Sequence, residues 1–230
     1  MKSIYVFVFT LIILVLGACQ INEKANHIKV KPLFINYEVR YLEQEKELRA
    51  LAFFKEGDSL EVAVSKEFSN ITFQSSGMKK QNLGERGIRY ILNRKGPFSD
   101  NLDFSYNNND GVPINYELSM PTVGDFLIKE GNIYKNKGAT IVWNGELLDP
   151  SQSLVFMFTD KDNKASSTSV KGPTKLSEVF IPSKDLARLT LGDGQLYLVK
   201  KQIRKTIVEN QTILSVVEYY TSPIDIKVVD

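Results

Sequence analysis

The chain contains almost no cysteine or histidine. Cys19 is the only cysteine and His27 the only histidine among 230 residues. A single thiol excludes an intramolecular disulfide. Because the one histidine lies in a polar segment near the start of the chain, we predict no Ser-His-Asp or Cys-His catalytic arrangement and no zinc site built from several His or Cys ligands. We therefore expect a protein that is not an enzyme.

The sequence also lacks an excess of charge of either sign. Twenty-nine basic and 27 acidic residues leave a formal net charge of +2. A balance so close to neutral gives no electrostatic reason to expect a nucleic acid partner. No glycine-rich loop joins a strand to a helix in the way that phosphate binding requires, so we expect no cofactor.

The one long apolar run is too short for a permanent membrane span. It extends from Ile4 to Leu16 with Thr10 as its only interruption, follows Met1-Lys2-Ser3, and ends at Gly17 and Ala18. A membrane-spanning helix needs roughly 20 apolar residues. A basic start, an apolar middle and small residues at the end are typical of a secretory signal, and we predict a signal peptide over residues 1–18.

The end of this run, Leu16-Gly17-Ala18-Cys19, resembles the lipobox of bacterial lipoproteins. The resemblance implies that Cys19 receives a diacylglyceryl group, that cleavage occurs just before it, and that the new amino terminus is acylated. Residues 19–27 then form a short lipidated tether, and the membrane is a partner through this lipid. Gln20 follows the cysteine, where the inner-membrane retention signal of enterobacterial lipoproteins has an aspartate, so we expect an outer-membrane protein of the cell envelope that faces the periplasm or the cell surface.

Beyond the tether the apolar residues recur with a period of two. Leu33, Ile35, Tyr37, Val39 and Tyr41 alternate with Phe34, Asn36, Glu38 and Arg40, and a second alternating run begins at Leu48. Such alternation predicts β-strands with one buried face. Asp110-Gly111 predicts a hairpin turn, because glycine accepts the positive φ that the turn requires. We predict a β-sandwich domain over residues 28–120.

A second series of strands follows a break at Pro121 and Gly124. We therefore predict two tandem β-sandwich domains, an all-β fold, with the second domain over residues 121–230. The only helical signal is a single turn near Ser183, which is expected to cap it and to bury Leu186 and Leu189.

The second half resembles the fibronectin type III and immunoglobulin-like superfamily. The stretch around Trp143 is similar to the strand that carries a buried tryptophan in that family, and Leu191 to Tyr197 is similar to its tyrosine corner. The resemblance implies an immunoglobulin-like β-sandwich for the second domain.

The composition leaves open two kinds of site that need neither histidine nor cysteine: a calcium site with oxygen ligands and a hydrolytic site with two carboxylates. Asp160 and Asp162 start like a calcium-binding EF-hand loop, but Lys164, Ala165 and Lys171 occupy positions where the loop needs an oxygen ligand, a glycine and a glutamate. We predict no metal site there. Paired carboxylates keep a hydrolase as one alternative, since glycoside hydrolysis needs only two acids at a suitable separation.

Two groups of residues are candidates for contact with a partner. Lys200, Lys201, Arg204 and Lys205 would lie on one hairpin and suit an acidic partner, while a lysine-guarded sheet edge is the other interpretation. Tyr219 and Tyr220 are adjacent in one predicted strand and therefore face opposite sides of it. We expect a lipid-anchored, non-catalytic binding or assembly module with a protein or glycan partner. The other alternative is a glycan-binding accessory lipoprotein of an outer-membrane uptake system, which predicts an exposed aromatic platform.

Overall fold

The chain from residue 31 onward is built almost entirely from β-strands, in a computed structural model that describes residues 31–230. This confirms the all-β prediction. The predicted signal peptide, the lipobox residues Leu16, Gly17, Ala18 and Cys19, and His27 lie outside the described residues.

Eighteen strands and two short helical turns make up the described part. The turns are a 3-10 turn at Gly84–Arg86 and α1 at Ser183–Leu186. The strands are β1 (Leu33–Leu42), β2 (Glu47–Glu56), β3 (Val64–Ser65), β4 (Ser69–Phe73), β5 (Ser76–Gly77), β6 (Lys79–Asn82), β7 (Ile88–Lys95), β8 (Asn101–Asn107), β9 (Pro113–Ser119), β10 (Phe126–Ile128), β11 (Ile133–Tyr134), β12 (Ala139–Trp143), β13 (Gln152–Asp160), β14 (Ala165–Lys171), β15 (Glu178–Ile181), β16 (Gly192–Val208), β17 (Gln211–Tyr220) and β18 (Ile224–Val229).

One large sheet and two small sheets contain these strands. The large sheet has the order β11-β18-β16-β17-β1-β2-β7-β6, with β13 and β14 added beside β16 and β3 beside β2. The small sheets are β5-β4-β8-β9 and β10-β12-β15. Both small sheets pack on the same side of the large sheet, as the two hydrophobic clusters show.

The predicted alternation decides which side chains are buried. In β1 the buried residues are Ile35, Tyr37, Val39 and Tyr41, while the side chains between them stay partly or fully exposed. The hairpin at Asp110-Gly111 joins β8 to β9, and Gly111 has a φ of 77°. The turn at α1 buries Leu186 and Leu189 as expected, but Ser183 does not cap it, because Pro182 occupies that position without a capping side chain.

The first core lies between β17, β1 and β2 of the large sheet and the sheet formed by β5, β4, β8 and β9. Aromatic rings fill it: Tyr37 stacks on Phe104 with ring centroids 4.2 Å apart, and Tyr116 lies 5.3 Å from Tyr37. Phe73 contacts Phe104 on its other side, with centroids 4.8 Å apart. Such aromatic contacts stabilise a core beyond the area that they bury.

The second core lies between β10, β12 and β15 and the part of the large sheet formed by β13, β16 and β18. Trp143 is buried there beside Phe156, as expected for a core tryptophan. Leu191, by contrast, is exposed. The immunoglobulin-like identity of this half stays a prediction.

Strand β16 takes part in both halves of the molecule. Its first residues pair with β18, its last residues pair with β17, and β13 runs along its middle. Ile213, Val217 and Tyr219, which follow residue 121 in the sequence, belong to the first core. The domain division at residue 121 stays a prediction, and both cores lie within one compact unit of residues 31–230. We therefore expect these residues to fold without the first 30.

Among residues 31–230, no helix is long and apolar enough to cross a membrane.

Replacing Phe104 by Ala is expected to lower the free energy of unfolding by about 3–5 kcal/mol, because it leaves a cavity between Tyr37 and Phe73. Phe180→Ala is the matched control: Phe180 is 58% exposed, and its loss should change the stability by less than about 0.5 kcal/mol. Urea unfolding of residues 20–230 measures both values. Equal losses in the two variants would contradict this account of the core.

Candidate functional site

One face of the large sheet is covered by no strand of the described residues. It is the side of β16, β17, β1 and β2 that faces away from the first core, and we call it the open face. Because side chains alternate along each strand, the open face collects every second residue. Its members are Phe34, Asn36, Glu38, Arg40, Arg49, Leu51, Phe53, Lys55, Lys201, Ile203, Lys205, Ile207, Thr212, Leu214, Val216 and Glu218.

The register of the four strands arranges these side chains in rows. Phe34 lies between Thr212 and Lys55, and the next row places Asn36 between Leu214 and Phe53. At about 4.8 Å between strands and about 6.8 Å between rows, the open face measures about 15 Å by about 20 Å.

The three rows of the open face nearest the start of β1 hold its apolar side chains, namely Phe34, Leu51, Phe53, Ile203, Ile207, Leu214 and Val216. Phe34, Phe53 and Leu214, together with Leu60 from the loop after β2, line a groove of about 330 Å³. Lys55 and Arg86 also line it. Ile203 is 48% exposed and Leu214 39%. The outer surface of a sheet is expected to be polar, and a contiguous apolar patch on it indicates a contact surface.

The row at the far end of the open face is charged, and it consists of Lys201, Glu218, Arg40 and Arg49. The Glu218 carboxylate accepts from Arg40 Nη2 at 3.1 Å and forms an ion pair with Lys201 Nζ at 3.0 Å, and the Arg40 guanidinium lies 5.3 Å from the Tyr220 ring centroid. Burial raises the pKa of Glu218, but Lys201 and Arg40 lower it by more, so Glu218 stays ionised. Arg49 is exposed beside them in a shallow hollow of about 470 Å³.

Basic residues outnumber acidic ones on the open face. Five of its side chains are cations, namely Arg40, Arg49, Lys55, Lys201 and Lys205, against the two carboxylates Glu38 and Glu218. The face therefore combines an apolar part with a surplus of positive charge, which favours a partner that carries acidic groups beside an apolar contact.

A buried acceptor without a donor lies within this face. Asn36 Nδ2 donates to Glu38 Oε1 at 2.7 Å, while Asn36 Oδ1 has no partner among the described residues. An unsatisfied buried oxygen is energetically costly, so Asn36 lowers the stability of the fold at this point.

The structure divides the six predicted partner-binding residues between two faces. Lys201 and Lys205 belong to the open face, and Tyr220 lies on the same side of the sheet one row further along. Lys200, Arg204 and Tyr219 lie on the opposite side. The division follows from strand alternation, which places neighbouring residues of β16 and β17 on opposite sides.

The three residues on the opposite side have structural partners. Lys200 is 1% exposed and its Nζ donates to the carbonyl oxygen of Pro121 at 2.7 Å. Burial lowers the pKa of Lys200, while the carboxylates Glu146, Asp149 and Asp100 oppose that shift. Lys200 is therefore not available to an external acidic partner.

The other two residues on this side are also engaged within the molecule. Arg204 pairs with Asp149 at 3.1 Å. The Tyr219 hydroxyl donates to Glu43 Oε1 at 2.6 Å.

Several residues of the open face were not predicted as site residues. Phe34, Phe53, Arg49 and Lys55 belong here because β1 and β2 lie beside β17. One feature of the sequence indicates part of this face. Phe34, Leu51 and Phe53 are large apolar residues at positions that strand alternation places on the side facing away from the core.

The loop that begins at Asp160 is closed by hydrogen bonds of its own. Asp160 Oδ1 accepts from the backbone N–H groups of Asp162 and Lys164, both at 2.9 Å, and Oδ2 accepts from that of Thr190 at 2.7 Å. Burial raises the pKa of Asp160, but these backbone donors outweigh it and lower the pKa from 3.8 to about 2. Among residues 31–230, no group of three or more His, Cys, Asp or Glu side chains is placed to hold a metal ion.

Shifts of carboxyl pKa values do not favour the hydrolase alternative. That alternative predicts two close acids, one with a raised pKa. Asp149, Asp160 and Glu218 each have a lowered pKa, because hydrogen-bond donors or cations surround them.

No family model matches the chain, and no curated protein matches it in sequence. The resemblances to bacterial lipoproteins and to immunoglobulin-like domains therefore stay predictions.

Asp160→Asn is expected to lower the Tm at pH 7, because an amide nitrogen cannot accept the hydrogen bond from Thr190. A carboxyl whose folded pKa is depressed contributes stability that is fully present above its unfolded pKa and is lost as the pH falls through the folded value. The difference in Tm between wild type and variant should therefore shrink between pH 4 and pH 2. Thermal unfolding followed by circular dichroism measures it.

Asp162→Asn, at an exposed position of the same loop, serves as the control and should leave the Tm unchanged at every pH. A chelator should also leave the wild-type Tm unchanged, whereas a large fall would mean that this loop holds calcium.

Proposed function

We propose that this protein is a lipid-anchored component of the bacterial cell envelope that acts as a non-catalytic binding module. Cys19 carries the lipid, residues 19–27 form the tether, and the open face binds a protein whose contact surface is apolar and bordered by acidic residues. The apolar groove beside a surplus of basic side chains on the open face is the single observation that carries the proposed binding site.

The anchor rests on the pattern of residues around Cys19. An apolar run of limited length, small residues at Gly17 and Ala18 and a cysteine directly after them satisfy each requirement of a lipobox. Two or three acyl chains hold a protein on a bilayer far more firmly than one chain does. We place the protein at the outer membrane.

The size and shape of the open face support a protein partner over a small molecule. It is broad and shallow, whereas small-molecule sites are deep and enclose most of the ligand. A protein contact typically covers about 800 Å² on each side, and a patch of about 15 Å by about 20 Å with its surrounding loops supplies the central part of such an area. Arg49, Lys55 and Lys205, which are not engaged by Glu218, would then meet acidic groups of the partner.

Glycan binding receives less support from the described residues. An aromatic platform requires exposed rings, but Tyr220 is half-buried and Arg40 lies over its ring. Tyr197 and Tyr220 line a small hollow of about 210 Å³ together with Gln195 and Glu43. Glycan binding therefore stays the alternative.

Replacing Cys19 by Ala is expected to abolish metabolic labelling with radioactive palmitate, because the variant has no thiol to receive the diacylglyceryl group. Gln20→Ala retains the cysteine and should label like the wild type. Mass spectrometry of the wild-type protein from membranes should show an amino terminus at an acylated Cys19. An unmodified thiol, or a mature chain that starts elsewhere, would refute the anchor.

A photo-crosslinking amino acid at Leu214 or Ile203 is expected to capture a partner in cells, because both side chains point outward from the open face. The matched control is Leu127 on β10, which is 55% exposed in the other half of the molecule. The captured protein is identified by mass spectrometry and purified, and its binding is then measured by calorimetry. Arg49→Glu should weaken that binding at least tenfold, and Lys175→Glu should not.

Two results would count against the proposed site. One is equal capture from Leu214 and Leu127, which would show that the open face binds the partner no better than another exposed surface does. The other is binding of the purified protein that Arg49→Glu leaves unchanged, which would remove the electrostatic part of the proposal.

A further inference from the structure

Six aliphatic side chains are exposed at one end of the first half of the molecule. Leu60, Val62 and Val64 follow β2, Val112 lies in the hairpin between β8 and β9, and Ile207 and Val208 end β16; we call this set the aliphatic end. Their exposed fractions lie between 51% and 69%. These six side chains lie in or beside three separate connections between strands, and none of them belongs to either core.

Hydrogen bonds bring these loops together around the point where the described chain begins. Gly57 N–H donates to the Pro32 carbonyl at 3.1 Å, so the loop that carries Leu60 and Val62 starts beside residue 32. On the other side, Leu33 N–H donates to the Asn210 carbonyl at 2.9 Å, next to Val208.

The hairpin that carries Val112 reaches the same end. Tyr106 precedes that hairpin in β8, and its hydroxyl lies 3.5 Å from Gln211 Oε1 at the start of β17. All three connections therefore lie at the end of the molecule that contains Lys31–Leu33.

The opposite end of the same strands has a different composition. The turn between β1 and β2 exposes Gln44, Glu45, Lys46 and Glu47. The aliphatic character therefore belongs to one end of the molecule, the end at which the preceding chain enters.

The tether keeps this end close to the lipid. Lys31 lies twelve positions after Cys19, and a fully extended segment of this length spans at most about 40 Å. If Cys19 is acylated, this length keeps the aliphatic end within reach of the bilayer.

We propose that the aliphatic end contacts the bilayer surface, with Val62, Val112 and Val208 in the interfacial layer. The proposal rests on the proposed anchor, since the tether supplies the proximity. Aliphatic side chains gain free energy when they leave water for this layer.

The hydrophobic effect, and not attraction between charges, would hold the aliphatic end at the bilayer. Among exposed charged residues at this end, the carboxylates Asp58, Glu61, Asp110 and Glu209 outnumber the cations Lys31 and Arg86. A net negative end is not drawn to anionic lipid, so the contact should form on zwitterionic lipid and should not depend on salt.

A bromolipid quenching experiment tests the contact independently of acylation. Residues 20–230 contain no cysteine, so Val62→Cys, Val208→Cys and the control Gln44→Cys each carry one fluorescent label. An amino-terminal hexahistidine tag replaces the lipid and holds the protein on phosphatidylcholine vesicles that contain nickel-chelating lipid and brominated phosphatidylcholine. Circular dichroism confirms that each variant is folded.

We expect the brominated lipid to quench the labels at positions 62 and 208 at least threefold more strongly than the label at 44, at both 0.1 M and 0.5 M NaCl. Equal quenching at the three positions, or none at 62 and 208 while the protein is bound through its tag, would overturn the proposal. The labels at positions 62 and 208 could also be quenched without brominated lipid, and increasingly so at higher protein density on the vesicle. That result would show that the aliphatic end contacts a second copy of the protein, and it would also overturn the proposal.

The tag makes the two proposals separable. If Cys19 proves to be unmodified, the anchor fails, but the quenching result still decides whether the aliphatic end has affinity for lipid. If the labels at 62 and 208 are not quenched, the lipid contact fails and the anchor is unaffected.

Discussion

The parallel pairing of β1 with β17 is the contact on which the rest of the molecule depends. Ten residues of each strand are in register, from Leu33 beside Gln211 to Leu42 beside Tyr220. This pairing joins segments separated by nearly the whole described chain, and closing so long a loop costs conformational entropy. Burial of Ile35, Tyr37, Ile213 and Val217 in one core helps to offset that cost.

Both proposed surfaces are consequences of this pairing. It places β1 and β2 beside β17 and β16, so that apolar and basic side chains from four strands share the open face. It also sets the start of β1 next to the hairpin that ends β16, which brings the entering chain among the aliphatic loops. If that end contacts the bilayer as proposed, the strands of the large sheet lead away from the membrane and the open face points sideways. A partner protein bound there would itself lie close to the membrane.

The alternation of side chains along each strand explains which features of this structure can be predicted from the sequence. It identified the buried side of β1 correctly, and it required Tyr219 and Tyr220 to face opposite sides, as they do. The same rule divides Lys200 from Lys201, yet these two residues were grouped with Arg204 and Lys205 as one basic cluster. Neighbours along a strand do not form one surface. The surface is formed by residues across strands, and their identity depends on which strands are adjacent.

The sequence by itself determined that the chain forms strands and which side of β1 is buried. These properties depend on residues close together in the chain, whose alternation and spacing are visible in the sequence. Only the tertiary structure decided that β17 lies beside β1, that Lys200 is buried against Pro121, and that Arg40, Arg49 and Lys201 share one face. Strand order and register are set by the packing of distant segments into common cores, and no local pattern specifies that packing.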